Sequence, residues 1–303
     1  MRKRICSIII ATALLSSLLS ACGSKPAAEE PPAPPTEEQT NLSNQTPAPQ
    51  PPVQKGTDDA ASAPSEETPD ASPAEYDFSQ PVPESEAVDN SYFEDAAFIG
   101  DSRTDGFLIY SGIGCGENLT SNGLSIFKLA EKKAITIDGN QYTLLEALAL
   151  KQYGKVYLSL GINELGYYDD QGFYDSYCQA IDLIRECQPN AVIYIQGLIP
   201  LNEDVIAETG GASYLKNDHL LVYNDLMKKA AEEKQVAFLD LNPVFTDENG
   251  QLPREASADG VHLRKAYCEQ WLDYLKTHTV SYDTLYPSDS SSSGDTAASS
   301  AQP

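Results

Sequence analysis

Three short motifs along this chain of 303 residues carry side chains that can perform nucleophilic and acid–base chemistry. Residues 100–104 read GDSRT, residues 161–164 read GINE and residues 259–262 read DGVH. Each motif alone is typical of an ordinary turn. Together they supply a hydroxyl, a carboxamide and a carboxylate–imidazole pair, which are the groups that nucleophilic acyl chemistry needs.

A serine hydroxyl is a weak nucleophile until a neighbouring imidazole accepts its proton. The sequence contains three histidines, and His262 alone follows a carboxylate, Asp259, at a spacing of three residues. That carboxylate can hold the imidazole in one tautomer and stabilise its protonated form. We therefore predict Ser102 as a nucleophile and His262 as its base, with His219 and His278 as surface or packing residues.

The segments that precede these motifs predict buried strands of a parallel sheet. Short apolar runs occur at residues 97–99, 156–160 (with Ser159 as its one polar residue), 191–195 and 236–239. Apolar runs without polar alternation suit a parallel sheet that helices cover on both faces. In such a sheet the active groups collect beyond the carboxyl ends of the strands, which is where the first two motifs lie.

Amphipathic segments between the strands predict the covering helices. Apolar residues recur at helical spacing from Phe173 to Ile184, before Pro189, and again over residues 215–233 and 263–275. A short hairpin around an Asp-Gly turn is predicted for residues 135–142 (ITIDGNQY), as an insertion. The alternation of strands and helices predicts a three-layer α/β/α domain.

On these motifs the chain resembles the SGNH (GDSL-type) hydrolases, a family of serine esterases and acyl hydrolases. The resemblance covers residues 96–280 and implies a flavodoxin-like sheet, with no metal or organic cofactor. It also implies that Ser102 is the nucleophile and that Asp259 and His262 complete a catalytic triad with it.

The same resemblance implies an oxyanion hole, because the tetrahedral intermediate of acyl transfer needs preorganised donors. Two donors would be the backbone N–H of Ser102 and the side-chain amide of Asn163. The third would be the backbone N–H of a glycine between the first two motifs, for which we favour Gly123. The rival glycines are Gly112, Gly114 and Gly116.

Two positions depart from the common pattern of that family. Glu164 follows Asn163 where aspartate is usual, keeps the charge and can still brace its loop. Arg103 follows the nucleophile where leucine is frequent. Arg103 could orient a carboxylate or polar substrate, although exposure on the surface of a helix is the more ordinary expectation.

Four tyrosines follow Asn163 closely, and aromatic faces at the rim of a cleft can stack on sugar rings. We expect Tyr174 and Tyr177 to face the core. Tyr167 and Tyr168, which precede the predicted helix, are candidate substrate contacts.

The chain begins with Met-Arg-Lys-Arg and an apolar run at residues 5–21, which is typical of a secretory signal. Residues 19–22 (LSAC) resemble the bacterial lipobox, in which the cysteine is lipidated and becomes the mature N-terminus. The alternatives are an ordinary signal peptide and an uncleaved anchor. We expect an extracytoplasmic protein that a lipid on Cys22 anchors to the bacterial cell membrane.

Composition divides the chain into four parts. Residues 1–21 form the predicted signal peptide, and residues 22–95 form a linker rich in Pro, Glu, Ala and Ser that should stay disordered. The hydrolase domain is expected at residues 96–280, and residues 281–303 form a predicted disordered tail.

The formal net charge of −25 at pH 7 excludes nucleic acid as an expected partner, because binding to it requires a basic surface.

The sequence has no Cys-x-x-Cys pair, so we expect no zinc or redox site. Cys178 and Cys187 are predicted about 13 Å apart on one helix, too far for a disulfide. Other pairings that involve Cys115 and Cys268 stay open.

Together these observations predict a surface esterase that removes a small acyl group, such as acetyl, from a carbohydrate or a cell-wall polymer such as peptidoglycan. Acyl transfer to a sugar, or hydrolysis of lipid or thioesters, would use the same groups. A third alternative is a lipid-tethered binding module whose catalytic set is inactive, but the intact Ser, Asn, Asp and His argue against it.

Overall fold

A computed structural model describes residues 75–287 of the chain. The predicted signal peptide, the lipidation site Cys22, linker residues 22–74 and tail residues 288–303 lie outside the described residues. Within residues 75–287, no helix has the length and apolar character needed to cross a membrane.

Within that part of the chain, seven strands form one main sheet and one hairpin. They are β1 (Ala96–Gly100), β2 (Glu117–Thr120), β3 (Ile135–Ile137), β4 (Asn140–Tyr142), β5 (Lys155–Ser159), β6 (Val192–Gln196) and β7 (Ala237–Leu239). The main sheet has the order β2-β1-β5-β6-β7, and all its neighbouring strands are parallel. β3 and β4 form the predicted antiparallel hairpin. Without the hairpin, the order is that of a flavodoxin-like sheet, so the predicted fold class is confirmed.

Eight α-helices connect or flank these strands in the described residues. They are α1 (Ser102–Tyr110), α2 (Leu144–Leu148), α3 (Asp170–Cys187), α4 (Glu203–Thr209), α5 (Asn217–Glu233), α6 (Asn242–Phe245), α7 (Lys265–Thr277) and α8 (Tyr282–Leu285). Short 3₁₀ helices span Asn90–Phe93, Ile126–Lys128, Ile162–Glu164 and Arg254–Ala256. The three helices that the apolar spacing predicted are observed as α3, α5 and α7.

Helices pack on both faces of the sheet because successive strand residues point to opposite sides. In β1, Ala97 and Ile99 join a core with α2, α3 and α5, whereas Ala96 and Phe98 join a core with α1 and α7. This arrangement explains why the central positions of β1, β5 and β6 are continuously apolar rather than alternating.

Aromatic side chains fix α1 and α7 on the same face. Phe107 of α1 lies 4.7 Å, between ring centroids, from Trp271 of α7, the one tryptophan of the sequence. The buried Trp271 indole donates a hydrogen bond to Gln196 of β6 at 2.9 Å. The two helices that flank the first and last motifs are therefore held against each other and against the sheet.

The domain extends beyond both predicted boundaries. Residues 75–95, expected to belong to the disordered linker, pack on the domain: Val82 and Phe93 are buried, and the Val82 N–H donates to the Phe238 carbonyl of β7 at 2.8 Å. The few apolar residues of this segment cover the free edge of β7. The average composition of residues 22–95 does not reveal these few residues. At the other end Leu285 of α8 is buried, so residues 281–287 of the expected tail are also ordered.

The four cysteines of this part of the chain, Cys115, Cys178, Cys187 and Cys268, are free thiols. Cys178 and Cys187 both lie on α3, the single helix that was predicted to contain them.

Val82→Ala should lower the free energy of unfolding by about 1–3 kcal/mol, because it removes two buried methyl groups at the edge of β7. The matched control is Val222→Ala on α5, where the side chain is 40% exposed and the change should stay within about 0.5 kcal/mol. Urea unfolding of the full chain measures both. Equal, negligible effects would mean that the segment before β1 does not contribute to the folded domain.

Candidate active site

Ser102 lies at the carboxyl edge of the sheet, where β1 passes directly into α1. Asp101 is the N-cap of α1, and its Oδ1 accepts the backbone N–H of Arg103 at 2.9 Å. This cap fixes the first turn of α1 and places Ser102 at the N-terminus of the helix. The half-buried Ser102 side chain lines a cavity.

His262 is held by a tight turn that precedes α7. Asp259 Oδ1 accepts the backbone N–H groups of Val261 and His262 at 2.9 and 2.8 Å. Gly260 has a φ of +82°, and a Cβ there would come within 2.4 Å of the Asn202 carbonyl, so the turn requires glycine.

Three of the predicted residues form a continuous chain of hydrogen bonds. The Ser102 Oγ lies 2.8 Å from His262 Nε2, and His262 Nδ1 lies 2.7 Å from Asp259 Oδ2. An ionised carboxylate only accepts hydrogen bonds, so the proton of this pair resides on Nδ1. Nε2 is then the acceptor for the Ser102 hydroxyl, which is the arrangement that deprotonates a serine.

The electrostatics of Asp259 keep it ionised. Partial burial alone would raise the pKa of this carboxyl, but hydrogen bonds from the side chain and backbone of His262 and from Val261 outweigh it and hold the pKa well below its usual range. A permanently charged Asp259 stabilises the imidazolium that forms when His262 accepts a proton.

Ser257 was not singled out from the sequence, although it supports the same pair. Its side chain is buried, and its Oγ lies 3.0 Å from Asp259 Oδ1 and 2.7 Å from the His262 carbonyl oxygen. A serine two residues before an aspartate is too common in loops to be a signal.

Asn163 is anchored beside Ser102 by its side-chain amide. Nδ2 donates to Asp101 Oδ2 at 3.1 Å and to the Leu124 carbonyl at 3.0 Å. Both Nδ2 hydrogens are thus engaged with the protein, and donation to a bound oxyanion would have to share or replace one of these bonds.

The glycine candidates lie near opposite ends of β1 and β2. Gly123, with a φ of +67°, comes three residues after Thr120, which pairs with Gly100 at the carboxyl end of β1. Gly112, Gly114 and Gly116 precede Glu117, which pairs near the start of β1. In a parallel pair these positions lie at opposite edges of the sheet, and Gly123 lies at the edge that carries Ser102.

Glu164 was expected to keep its charge and to brace its own loop, but it contacts the segment that follows Gly123. Its side chain is fully buried, and Oε1 accepts the Ile126 backbone N–H at 2.6 Å, whereas Oε2 has no partner in the described residues. Burial first, and the nearby Asp101 carboxylate second, raise the pKa of Glu164 to about 7.

The expectation that Arg103 is exposed is wrong, because this side chain is buried. Arg103 follows Ser102 by 100° around α1 and points with Thr104 and Phe107 toward the sheet and α7. Its Nη1 donates to the Ile199 carbonyl at 2.9 Å, and its Nη2 is closed to solvent without a partner in this part of the chain. Burial lowers the pKa of Arg103 to about 10, so the group remains charged at neutral pH.

The cavity at Ser102 has a volume of about 280 Å³. One side of α1 contributes Gly106, Ile109 and Tyr110, and Leu263 lies beside His262. Its walls are therefore partly apolar next to the hydroxyl–imidazole pair.

Tyr167 and Tyr168, the other candidate substrate contacts, do not line this cavity. Tyr167 packs on Phe127 at 5.2 Å between ring centroids, and Tyr168 stacks on His219 at 5.7 Å. Tyr174 and Tyr177 are buried as expected.

His219 and Asp170 form a second histidine–carboxylate pair, but the other ring nitrogen of this histidine does not contact a hydroxyl group. His219 Nε2 lies 2.9 Å from Asp170 Oδ1, but its Nδ1 lies 3.0 Å from the Leu165 carbonyl instead of a hydroxyl. His278 stacks on Tyr274. Among residues 75–287 there is no cluster of three His, Cys, Asp or Glu side chains that could hold a metal ion.

Comparison with known proteins agrees with this geometry. Residues 98–266, more than half of the chain, match the model of the GDSL-like Lipase/Acylhydrolase family. The chain belongs to this family. The match includes the first two motifs and the Asp259–His262 turn.

Individual relatives share less of their sequence with this chain. An isoamyl acetate-hydrolyzing esterase of Saccharomyces cerevisiae is 26% identical over 117 residues, which cover 36% of this chain and 49% of the yeast protein. The chain thus spans about half the length of this curated relative.

The fold resembles that of a solved structure. A Streptococcus pneumonia protein provisionally described as a platelet activating factor has a TM-score of 0.50 at 22% identity, over 66% of this chain and 86% of its own. A Bacteroides fragilis protein provisionally described as an acylhydrolase has a TM-score of 0.47 at 12% identity, over 64% and 88%.

The pKa of Glu164 predicts how stability depends on pH. The folded protein holds the Glu164 proton up to a pH of about 7, whereas the unfolded chain releases it near 4.5, so this group makes stability fall as pH rises between these values. Glu164→Gln should remove that loss, and its advantage over the wild type should grow from near zero at pH 4.5 to about 3 kcal/mol at pH 8.

Urea unfolding at several pH values measures this difference. The exposed Glu186→Gln is the control and should retain the wild-type dependence. Parallel stability curves for wild type and Glu164→Gln would contradict a raised pKa.

Proposed function

We propose that the chain is a serine esterase in which Ser102 forms an acyl-enzyme, His262 transfers protons and Asp259 orients His262. The observation that carries this proposal is the hydrogen-bonded chain of 2.8 and 2.7 Å from the Ser102 hydroxyl through His262 to Asp259. Membership of a family of lipases and acylhydrolases supports the same conclusion.

The reaction has two halves. The Ser102 oxygen attacks the ester carbonyl while His262 Nε2 accepts the hydroxyl proton, and the protonated imidazole then gives that proton to the departing alcohol. In the second half His262 deprotonates a water molecule that attacks the acyl-enzyme. The protonated imidazole then returns this proton to the Ser102 oxygen as the carboxylic acid leaves. Asp259 stays ionised throughout and stabilises the charged imidazole.

The negative charge on the carbonyl oxygen requires donors in the transition state. We assign these to the backbone N–H groups of Ser102 and Gly123 and to the amide of Asn163. Asn163 would share or exchange its hydrogen bond to the Leu124 carbonyl when the oxyanion forms. Each such donor is worth about 3 kcal/mol of barrier.

For the substrate we propose a small acyl ester, acetyl foremost, of a carbohydrate or cell-wall polymer. The yeast relative is by its name an esterase of an acetate ester, which supports a short acyl group. We also propose that a lipid on Cys22 holds the enzyme at the outer side of the cell membrane, on the basis of the LSAC motif that follows the apolar N-terminal run.

Ser102→Ala should lower kcat/KM for 4-nitrophenyl acetate by about 10⁴-fold or more, because the nucleophile is lost. A fluorophosphonate should label the wild type at Ser102 and leave the variant unlabelled, as intact-mass spectrometry of the full chain would record. The proposal fails if both proteins hydrolyse the ester equally well, or if neither hydrolyses it and no label is found.

The two histidine–carboxylate pairs provide a matched comparison. His262→Ala should reduce kcat by about 10⁴-fold, because no base remains for Ser102. His219→Ala should change it by less than about threefold, because the partners of His219 are Asp170 and a backbone carbonyl. Rates on the same ester distinguish them, and a large loss in the His219 variant would argue against His262 as the base.

A further inference from the structure

A second cavity, of about 300 Å³, adjoins the cavity that contains Ser102. Asp105 and Asn122 line both cavities, so the two cavities lie next to each other. Apart from Ile135, the second cavity is lined by polar residues: Asp105, Asn118, Thr120, Ser121, Asn122 and Thr136. We call it the polar cleft.

The position of the polar cleft relative to Ser102 follows from the helix and the hairpin. Asp105 lies three residues after Ser102 on α1, and residues at this spacing share a helix face. Thr136 belongs to β3 of the hairpin, so the insertion forms the far wall of the cleft. A ligand in the cleft is therefore bounded by the helix that carries Ser102 and by the hairpin.

The side chains of the cleft define the chemistry of its ligand. Asp105 Oδ1 accepts from Asn118 Nδ2 at 3.0 Å. The Thr120 hydroxyl lies 2.6 Å from Asn118 Oδ1 and 3.3 Å from Asp105 Oδ1, and Asp105 Oδ2 has no partner in the described residues. Carboxamides, hydroxyls and a carboxylate offer many donors and acceptors. They suit a ligand rich in hydroxyl groups.

Other ligand classes fit the polar cleft poorly. An alkyl chain would displace the water that is hydrogen-bonded to these polar groups and would offer them no hydrogen bonds in return. An anionic ligand would face the Asp105 carboxylate, and none of the lining residues is a lysine or an arginine. The apolar residues Ile109 and Leu263 line the Ser102 cavity instead.

We propose that the polar cleft is a subsite for an uncharged sugar residue that forms the alcohol part of the ester. This inference rests on the proposed function of Ser102. The ester carbonyl lies at Ser102, and the hydroxyl groups of the sugar bind the side chains of Asp105, Asn118 and Thr136. The hairpin thus contributes to the choice of alcohol and not to the chemical step.

The test compares two acetate esters with the full-length protein: an O-acetylated methyl glucopyranoside and 4-nitrophenyl acetate. Thr136→Val should lower kcat/KM for the sugar ester by about tenfold, the usual effect of one lost hydrogen bond. It should leave the rate on nitrophenyl acetate within about twofold, because Thr136 does not line the Ser102 cavity. The control is Gln141→Val, which alters the residue paired with Thr136 across the hairpin but outside the cleft lining.

The outcomes separate this inference from the proposed function. Equal effects on both esters, or no effect on either, would overturn the sugar subsite while leaving the esterase intact. If neither ester is hydrolysed, the proposed function fails, and calorimetry with the Ser102→Ala protein decides the subsite. The subsite is supported if the Ser102→Ala protein binds the sugar ester and the added Thr136→Val substitution weakens that binding about tenfold. It is overturned if the Ser102→Ala protein does not bind the sugar ester, or if Thr136→Val leaves the affinity unchanged.

Discussion

Asp101 lies buried between the loops that follow β1 and β5, and its two carboxylate oxygens serve different loops. Oδ1 caps α1 through the Arg103 backbone N–H, and Oδ2 accepts the amide of Asn163. Burial raises the pKa of Asp101, and the hydrogen bond from the Arg103 backbone and the charge of its guanidinium oppose that effect. A carboxyl group that does not line the Ser102 cavity therefore determines where Ser102 and Asn163 lie relative to each other.

The second constraint is the packing of α1 on α7. Ser102 begins α1 and His262 precedes α7, and the two residues are 160 positions apart in the sequence. Their 2.8 Å contact depends on Phe107 and Trp271 holding these helices on one face of the sheet. The hydrophobic layer thus sets a distance that local sequence cannot set, and the Asp259 turn sets only the orientation of the imidazole.

The sequence predicted what depends on local pattern and chemistry. Apolar runs identified four strands of the main sheet, and the residue types required for acyl chemistry identified Ser102 and His262. β2 was missed because it is a polar edge strand in which Leu119 alone is buried. The burial of Arg103 depends on the Ile199 carbonyl, 96 residues away, and the order of residues 75–95 depends on Val82 meeting the edge of β7. Contacts of this range leave no trace in composition or periodicity.

Trp271 gives the molecule an optical property that follows from its position. As the one tryptophan of the chain, it accounts for all indole fluorescence, and its buried ring, hydrogen-bonded to Gln196, emits from an apolar surrounding. It also borders a small cavity with Asp101 and Arg103, directly beneath the start of α1. The wavelength and intensity of that emission thus report on the junction of α1, α7 and β6, and no introduced dye is needed to follow it.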